Sequence, residues 1–297
     1  MADNKTQNRK FLRELYTIWI AEQPFHHAPG LAYYAIFSFV PVIYIAISMA
    51  GIFFDEVSAQ NELILRVTET LGEEAATLLQ ESLLRLNESL QGGSQVFSVI
   101  ALIALILTAS LMFFQLQYVL NTIWKVPPPR RDGTRVFFQG RILAFLMVLG
   151  VGALFIIVVI AQFILSWLGA RIPLNISIPF GSALFFLLLG TLSFALVFKV
   201  LPNADITWRD VWVGAFVTAV LFVIGVNLIL AYLGNGNFTS PQEAAGAVLV
   251  LLLAFYFLST ILIFGAVFTR VFASMYGSKI VPQSDEVSVE DQGQGVV

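Results

Sequence analysis

The chain has no cysteine, two histidines and few charges; only 12% of its 297 residues are Asp, Glu, Lys or Arg. Each shortage removes a class of chemistry. Without cysteine there are no disulfides and no thiolate metal sites, so the sequence carries no sign of its redox compartment. The two histidines, His26 and His27, are adjacent. On a helix they point about 100° apart, which serves one metal poorly. No third histidine or nearby carboxylate cluster completes a ligand set. A nucleophile, base and orienting group would have to be gathered from scattered loops. No metal, cofactor or catalytic residue is therefore assigned, and the chain is not expected to be an enzyme. The net charge of −3 does not point to a nucleic-acid partner.

What the chain has in excess is apolar residues, 58% of the total, against about 45–50% in an ordinary soluble domain. The excess falls into six blocks, 31–54, 94–124, 142–168, 178–200, 211–233 and 244–269, none with a charge in its interior. A bilayer core takes about 20 apolar residues of helix. Charge-free runs of this length satisfy their peptide groups in lipid only as helices. The expected fold class is all-α, a polytopic membrane protein with six transmembrane helices spread over residues 31–277. The first block is too long, and begins too far into the chain, for a cleavable signal peptide.

Lysine and arginine set the orientation. Lys5, Arg9, Lys10 and Arg13 precede the first block, and Lys125, Arg130, Arg131, Arg135 and Arg141 separate the second from the third. Lys199, Arg209, Arg270 and Lys279 fall on the same side, leaving Arg66, Arg85 and Arg171 on the other. This asymmetry places both termini in the cytoplasm.

Three segments lie outside the spans. Residues 55–93 carry eight acids and apolar residues at helical spacing. They read as an amphipathic periplasmic hairpin with a break at Gly72, capping the bundle or receiving an envelope partner. Residues 1–30 form a cytoplasmic N-terminal unit whose stretch 9–22 interleaves Phe11, Leu12, Leu15, Ile18 and Trp19 with charge, a pattern expected in the headgroup region. The acidic tail, 278–297, is expected to be disordered.

Polar residues inside the spans are the functional candidates. They are Ser38 with the kink-forming Pro41, Gln117 and Asn121 at i, i+4, Gln162, Asn227, and Tyr256 with Ser259. Helix–helix hydrogen bonding is the competing reading for each. No span holds an Asp, Glu or His to relay protons. Arg130, Arg131, Trp208 and Arg209 are candidate headgroup contacts, since arginine pairs with phosphate and indole anchors at the interface. "SPQE" at 240–243 and "TWRD" at 207–210 read as helix caps. Gly150/Gly152 and Gly181/Gly190 read as sites of close helix packing.

Three patches carry a resemblance: "LAYYAIFSFVPV" in the first span, "LNTIWKVPPPRR" ending the second, and "LPNADITWRDVWVGA" between the fourth and fifth. With the last span in outline, and over about residues 10–277, the chain resembles the YihY/BrkB family of bacterial inner-membrane proteins. It departs from that pattern at Ala254, where an aromatic is expected, and at Val267, where relatives often carry an acid. The resemblance implies an inner-membrane location and an association with envelope integrity and export of lipid A-type glycolipids. It also brings a former ribonuclease label, which the absence of a catalytic set does not favour. The expected function is handling or translocation of lipid-like amphiphiles, with membrane lipids as partners. A non-transporting scaffold acting through 55–93 is the alternative, and a homo-oligomer is a candidate assembly.

Overall fold

The computed structural model describes residues 2–51, 56–71, 73–91, 95–126, 178–234, 241–277 and 280–282, with isolated positions between 142 and 153. Eight described helices follow one another: α1 (Ala2–Ala21), α2 (Pro24–Gly51), α3 (Glu56–Leu71), α4 (Glu73–Gln91), α5 (Gln95–Ile123), α6 (Ile178–Val200), α7 (Trp208–Gly234) and α8 (Pro241–Tyr276). A two-residue antiparallel ladder joins β1 (Ala204–Asp205) to β2 (Val281–Pro282). Most of the expected third span, Gln162, Arg130, Arg131 and most of the tail lie outside the described residues.

Among the described residues, four helices contain stretches long and apolar enough to cross a membrane: Pro24–Met49, Val99–Ile123, Trp208–Ile229 and Leu251–Tyr276. In α6 the described apolar stretch is the shorter Leu187–Val200. Helix α8, with 36 residues, is about 54 Å long at 1.5 Å per residue. A hydrocarbon core is about 30 Å thick, so one end of α8 projects beyond it.

The first span begins earlier than the hydropathy block. Gln23 takes a left-handed backbone, φ 46°, which ends α1, and Pro24 opens α2 at the first helical position, where its missing N–H costs nothing. Helix α2 continues through both Pro29 and Pro41. Helices α2, α5 and α8 pack together, α6 lies on α7 and α7 on α8. Their shared core includes Leu31, Leu116, Leu120, Phe198, Ile263 and Val271.

A second cluster ties the α3–α4 pair to α2. Leu79 and Leu83 pack on Ile47, with Val40, Ile43 and Tyr44 alongside, and the Tyr44 hydroxyl donates to Asn87 Oδ1 at 3.3 Å. The amphipathic pair therefore spends its apolar stripe on the second half of α2. Helix α1 is likewise committed, because Phe11 meets Phe268 and Tyr276, and Trp19 meets Phe264. Of the apolar residues expected in the headgroup region, Phe11, Leu15, Ile18 and Trp19 pack against the core and Leu12 stays exposed.

The α7–α8 crossing has a reciprocal construction. The Thr218 hydroxyl donates to the Gly214 carbonyl, and the Thr269 hydroxyl to the Gly265 carbonyl. Each threonine then fills the space over the other helix's glycine: a Cβ at Gly214 would overlap Thr269, and one at Gly265 would overlap Thr218. Small residues four apart let two backbones approach closely where lipid supplies no hydrophobic drive. A Cβ at Gly190, by contrast, would make ordinary contact with Ala219 at 3.6 Å.

Candidate functional site at the basic end of the bundle

The described polar side chains concentrate where α1 turns into α2, α5 ends, α6 leads into α7, and α8 passes by. At the centre is Glu22, whose side chain is only 5% exposed. Lys125 Nζ donates to both its oxygens, at 2.9 Å to Oε1 and 3.0 Å to Oε2. Arg270 Nη1 donates to Oε1 at 2.7 Å and to the Ile123 carbonyl at 2.6 Å. A buried carboxylate is tolerable because two cations compensate it. The cations differ in surroundings: the Lys125 side chain is 61% exposed and that of Arg270 24%.

Local sequence explains how Lys125 arrives there. Val126 N–H donates to the Asn121 carbonyl and Lys125 N–H to that of Thr122, with Lys125 at φ 57°. This is the Schellman closure of a helix, with lysine where glycine is usual, and the prolines after Val126 prevent continuation. A non-glycine residue in this region costs about 1–2 kcal/mol. The same turn buries Trp124, whose indole N–H donates to the Ala266 carbonyl of α8 at 3.0 Å. The two non-glycine residues with left-handed backbones among those described are thus Gln23, next to Glu22 in the chain, and Lys125, ion-paired with it.

Two turns back along α5, Gln117 Nε2 donates to the Leu201 carbonyl at 2.7 Å and approaches Asn203 Oδ1 at 3.4 Å. Asn121 Oδ1 accepts from the Asn203 backbone N–H at 3.0 Å. The i, i+4 pair shares a face, as its spacing predicts, and that face clamps the turn after α6. Lys199 Nζ donates to the Ile206 carbonyl at 2.8 Å, within the same connection. The Thr207 hydroxyl donates to the buried Asp210 carboxylate at 2.8 Å, and the backbone N–H groups of Asp210 and Val211 donate to the Thr207 carbonyl. The expected cap at "TWRD" is present with the threonine bonded to the acid itself. Arg209 is exposed and Trp208 half-exposed beside it.

The remaining candidates lie apart. Ser38 is fully buried, donating to the Thr108 carbonyl at 2.8 Å and accepting from Met112 N–H at 3.2 Å, which ties α2 to α5. Asn227 is exposed and donates to the Val223 carbonyl of its own helix. Ser259 is buried and Tyr256 packs against the core. Pro41 is half-buried in α2. Val267 is fully buried in the core, and Ala254 is also buried. Glu22 was not among the residues singled out from sequence, and Arg270 and Lys125 served there only as markers of orientation. The available signal was that Glu22 is the single Asp, Glu, Lys or Arg between Glu14 and the first apolar run.

Chemically, the arrangement joins separate helices through charge-assisted bonds and presents one partly exposed ammonium, Lys125, at the surface. Among the described residues there is no group of three or more His, Asp or Glu placed to hold a metal.

Two of the three patches that carry the resemblance meet here, through Asn121 with Asn203, and Trp124 of the second bonds the last span, α8. The family model described as "Virulence factor BrkB" matches residues 19–289. A UPF0761 membrane protein of Teredinibacter turnerae is 27% identical over 294 residues, 94% of this chain and 64% of that protein. One of Saccharophagus degradans is 29% identical, covering 89% of this chain and 60% of that protein. The chain thus spans under two thirds of the length of both. UPF0761 membrane protein YihY of Shigella boydii is 28% identical over 204 residues, 67% of each chain. No solved structure matches. The matched span covers nearly the whole chain, and with four described helices apolar enough to cross a bilayer this multi-pass membrane protein belongs to the BrkB family, together with the UPF0761 proteins that include YihY.

Proposed function

We propose that this protein is a non-enzymatic component of the bacterial inner membrane that handles lipid-like amphiphiles, phospholipid or lipid A-type glycolipid, in support of envelope integrity. The observation that carries the reading is the partly exposed Lys125 ammonium, held at the end of a charge-free bundle. Exposed Arg209 and half-exposed Trp208 lie in the connection that α5 clamps. Basic side chains meet anionic headgroups, indole rings favour the interfacial layer, and apolar helices below them suit acyl tails.

The engagement of Gln117 and Asn121 with residues 201–203 shifts the reading from a central polar groove to this rim. In the described conformation those two residues hold structure together, and a path along them would require the 201–203 turn to move.

The test is movement of quenchable, headgroup-labelled lipids in proteoliposomes containing the purified protein. Protein-dependent loss of protected signal, reduced by Lys125→Ala or Arg209→Ala, supports the reading. A flat trace from folded protein with phospholipid and glycolipid probes refutes facilitated movement of those lipids. The second reading, an envelope scaffold, draws on exposed Leu65, Leu78 and Leu84 of the α3–α4 pair. Under that reading, replacing 55–93 with a short linker abolishes envelope function even where the bundle remains folded.

A further inference from the structure

Helix α1 has two apolar stripes, and α8 uses only one. Phe11, Leu15, Ile18 and Trp19 are partly buried against the core. Leu12, Tyr16 and Ile20, spaced by four, form a second line and are 63, 68 and 54% exposed. Residues four apart lie one above another on a helix. Arg9 and Arg13, also four apart and exposed, fall within about 100° of Leu12 on the same side. Glu14 projects about 160° from Tyr16, so the acid is kept off this face. Three large exposed apolar side chains in line do not suit water. Two guanidiniums beside them do not suit the hydrocarbon core either. An apolar strip edged with arginine matches one environment, the boundary between acyl chains and anionic headgroups.

We infer that the Arg9–Leu12–Arg13–Tyr16–Ile20 face of α1 is a docking surface for the anionic phospholipid of the adjoining leaflet. Charge complementarity identifies the occupant, and the packing of Phe11 and Trp19 on α8 fixes α1 beside the membrane-length helix it would need to adjoin. Helix α1 then acts as a wedge between α8 and the leaflet, with its last turn leading into Glu22. The inference holds whether or not the bundle moves lipid.

The absence of cysteine provides a clean test. Full-length Tyr16→Cys protein, labelled with an environment-sensitive fluorophore, is reconstituted in vesicles of phosphatidylcholine alone or mixed equally with phosphatidylglycerol. Glu14→Cys supplies the opposite face. The label at 16 should be quenched by brominated acyl chains and protected from aqueous iodide, more strongly in anionic vesicles. The label at 14 should remain open to iodide in both. Arg9→Glu with Arg13→Glu should weaken docking in anionic vesicles by at least about fivefold per arginine removed. That variant retains Phe11 and Trp19, and a native near-ultraviolet spectrum reports whether α1 still packs on α8. Equal bromolipid quenching in neutral and anionic vesicles would overturn recognition of anionic lipid. Iodide access at 16 in both vesicles would overturn docking altogether. Protection from both quenchers would overturn the lipid assignment in favour of a protein covering the stripe.

Discussion

The two cations on Glu22 should contribute unequally, and their exposure gives the order. Replacing Arg270 by Gln leaves a carboxylate that is 5% exposed with Lys125 alone, and takes the side-chain donor from the Ile123 carbonyl. Breaking a buried ion pair costs about 3–5 kcal/mol. Because Lys125 stays and Arg270 is itself 24% exposed, the expected loss is smaller, about 2–4 kcal/mol. Lys125→Ala removes a side chain that is 61% exposed, and mostly hydrated pairs contribute about 0–1 kcal/mol. Lys125→Gly should be more stable than Lys125→Ala by about 1 kcal/mol, reversing the usual penalty for glycine, because φ at 125 is 57°. The pair Glu22→Gln with Arg270→Gln should recover at least about 1 kcal/mol of the Arg270→Gln loss, since no unpaired charge then remains. Unfolding in mixed micelles as sodium dodecyl sulfate rises, followed by circular dichroism and tryptophan fluorescence, measures all of these. Equal losses for Arg270→Gln and Lys125→Ala, or no recovery in the double variant, would show that Glu22 is not an inaccessible, charge-compensated centre.

Two further outcomes test the packing, in the same unfolding assay. Gly214→Ala and Gly265→Ala should each destabilise by about 1–3 kcal/mol through overlap with the facing threonine. Gly190→Ala, with room for the methyl, should be neutral or gain up to about 1 kcal/mol of helix propensity. Gln117→Leu and Asn121→Leu should each cost about 0.6–2 kcal/mol. Their combined effect should be less than additive because both hold residues 201–203; full additivity would contradict a shared clamp.

Much of the architecture was legible in local composition. Long charge-free runs leave helix as the form that satisfies their backbone in lipid, and the blocks beginning at 31, 94, 211 and 244 coincide with α2, α5, α7 and α8. Periodicity placed Gln117 and Asn121 on one face and marked α3–α4 as amphipathic. Hydropathy could not see that α2 starts at Pro24, because Glu22, Gln23 and the histidines dilute the apolar signal while the backbone turn at Gln23 sets the boundary.

Tertiary structure decided which residue meets which. A hydropathy profile treats Lys125 and Arg270 as edge charges, whereas their convergence on Glu22 depends on how α5 and α8 pass the α1–α2 corner. Glycine pairs chosen by spacing within one helix missed Gly214 and Gly265, because close packing depends on the threonine presented by the other helix. The same holds for α1. Its sequence shows an amphipathic basic helix, but only its packing shows that one stripe belongs to α8 and leaves Leu12, Tyr16 and Ile20 exposed. Sequence determines which segments leave water, since transfer free energy accumulates residue by residue along the chain. Which polar groups remain paired, and which apolar faces remain open, is settled by contacts between distant segments.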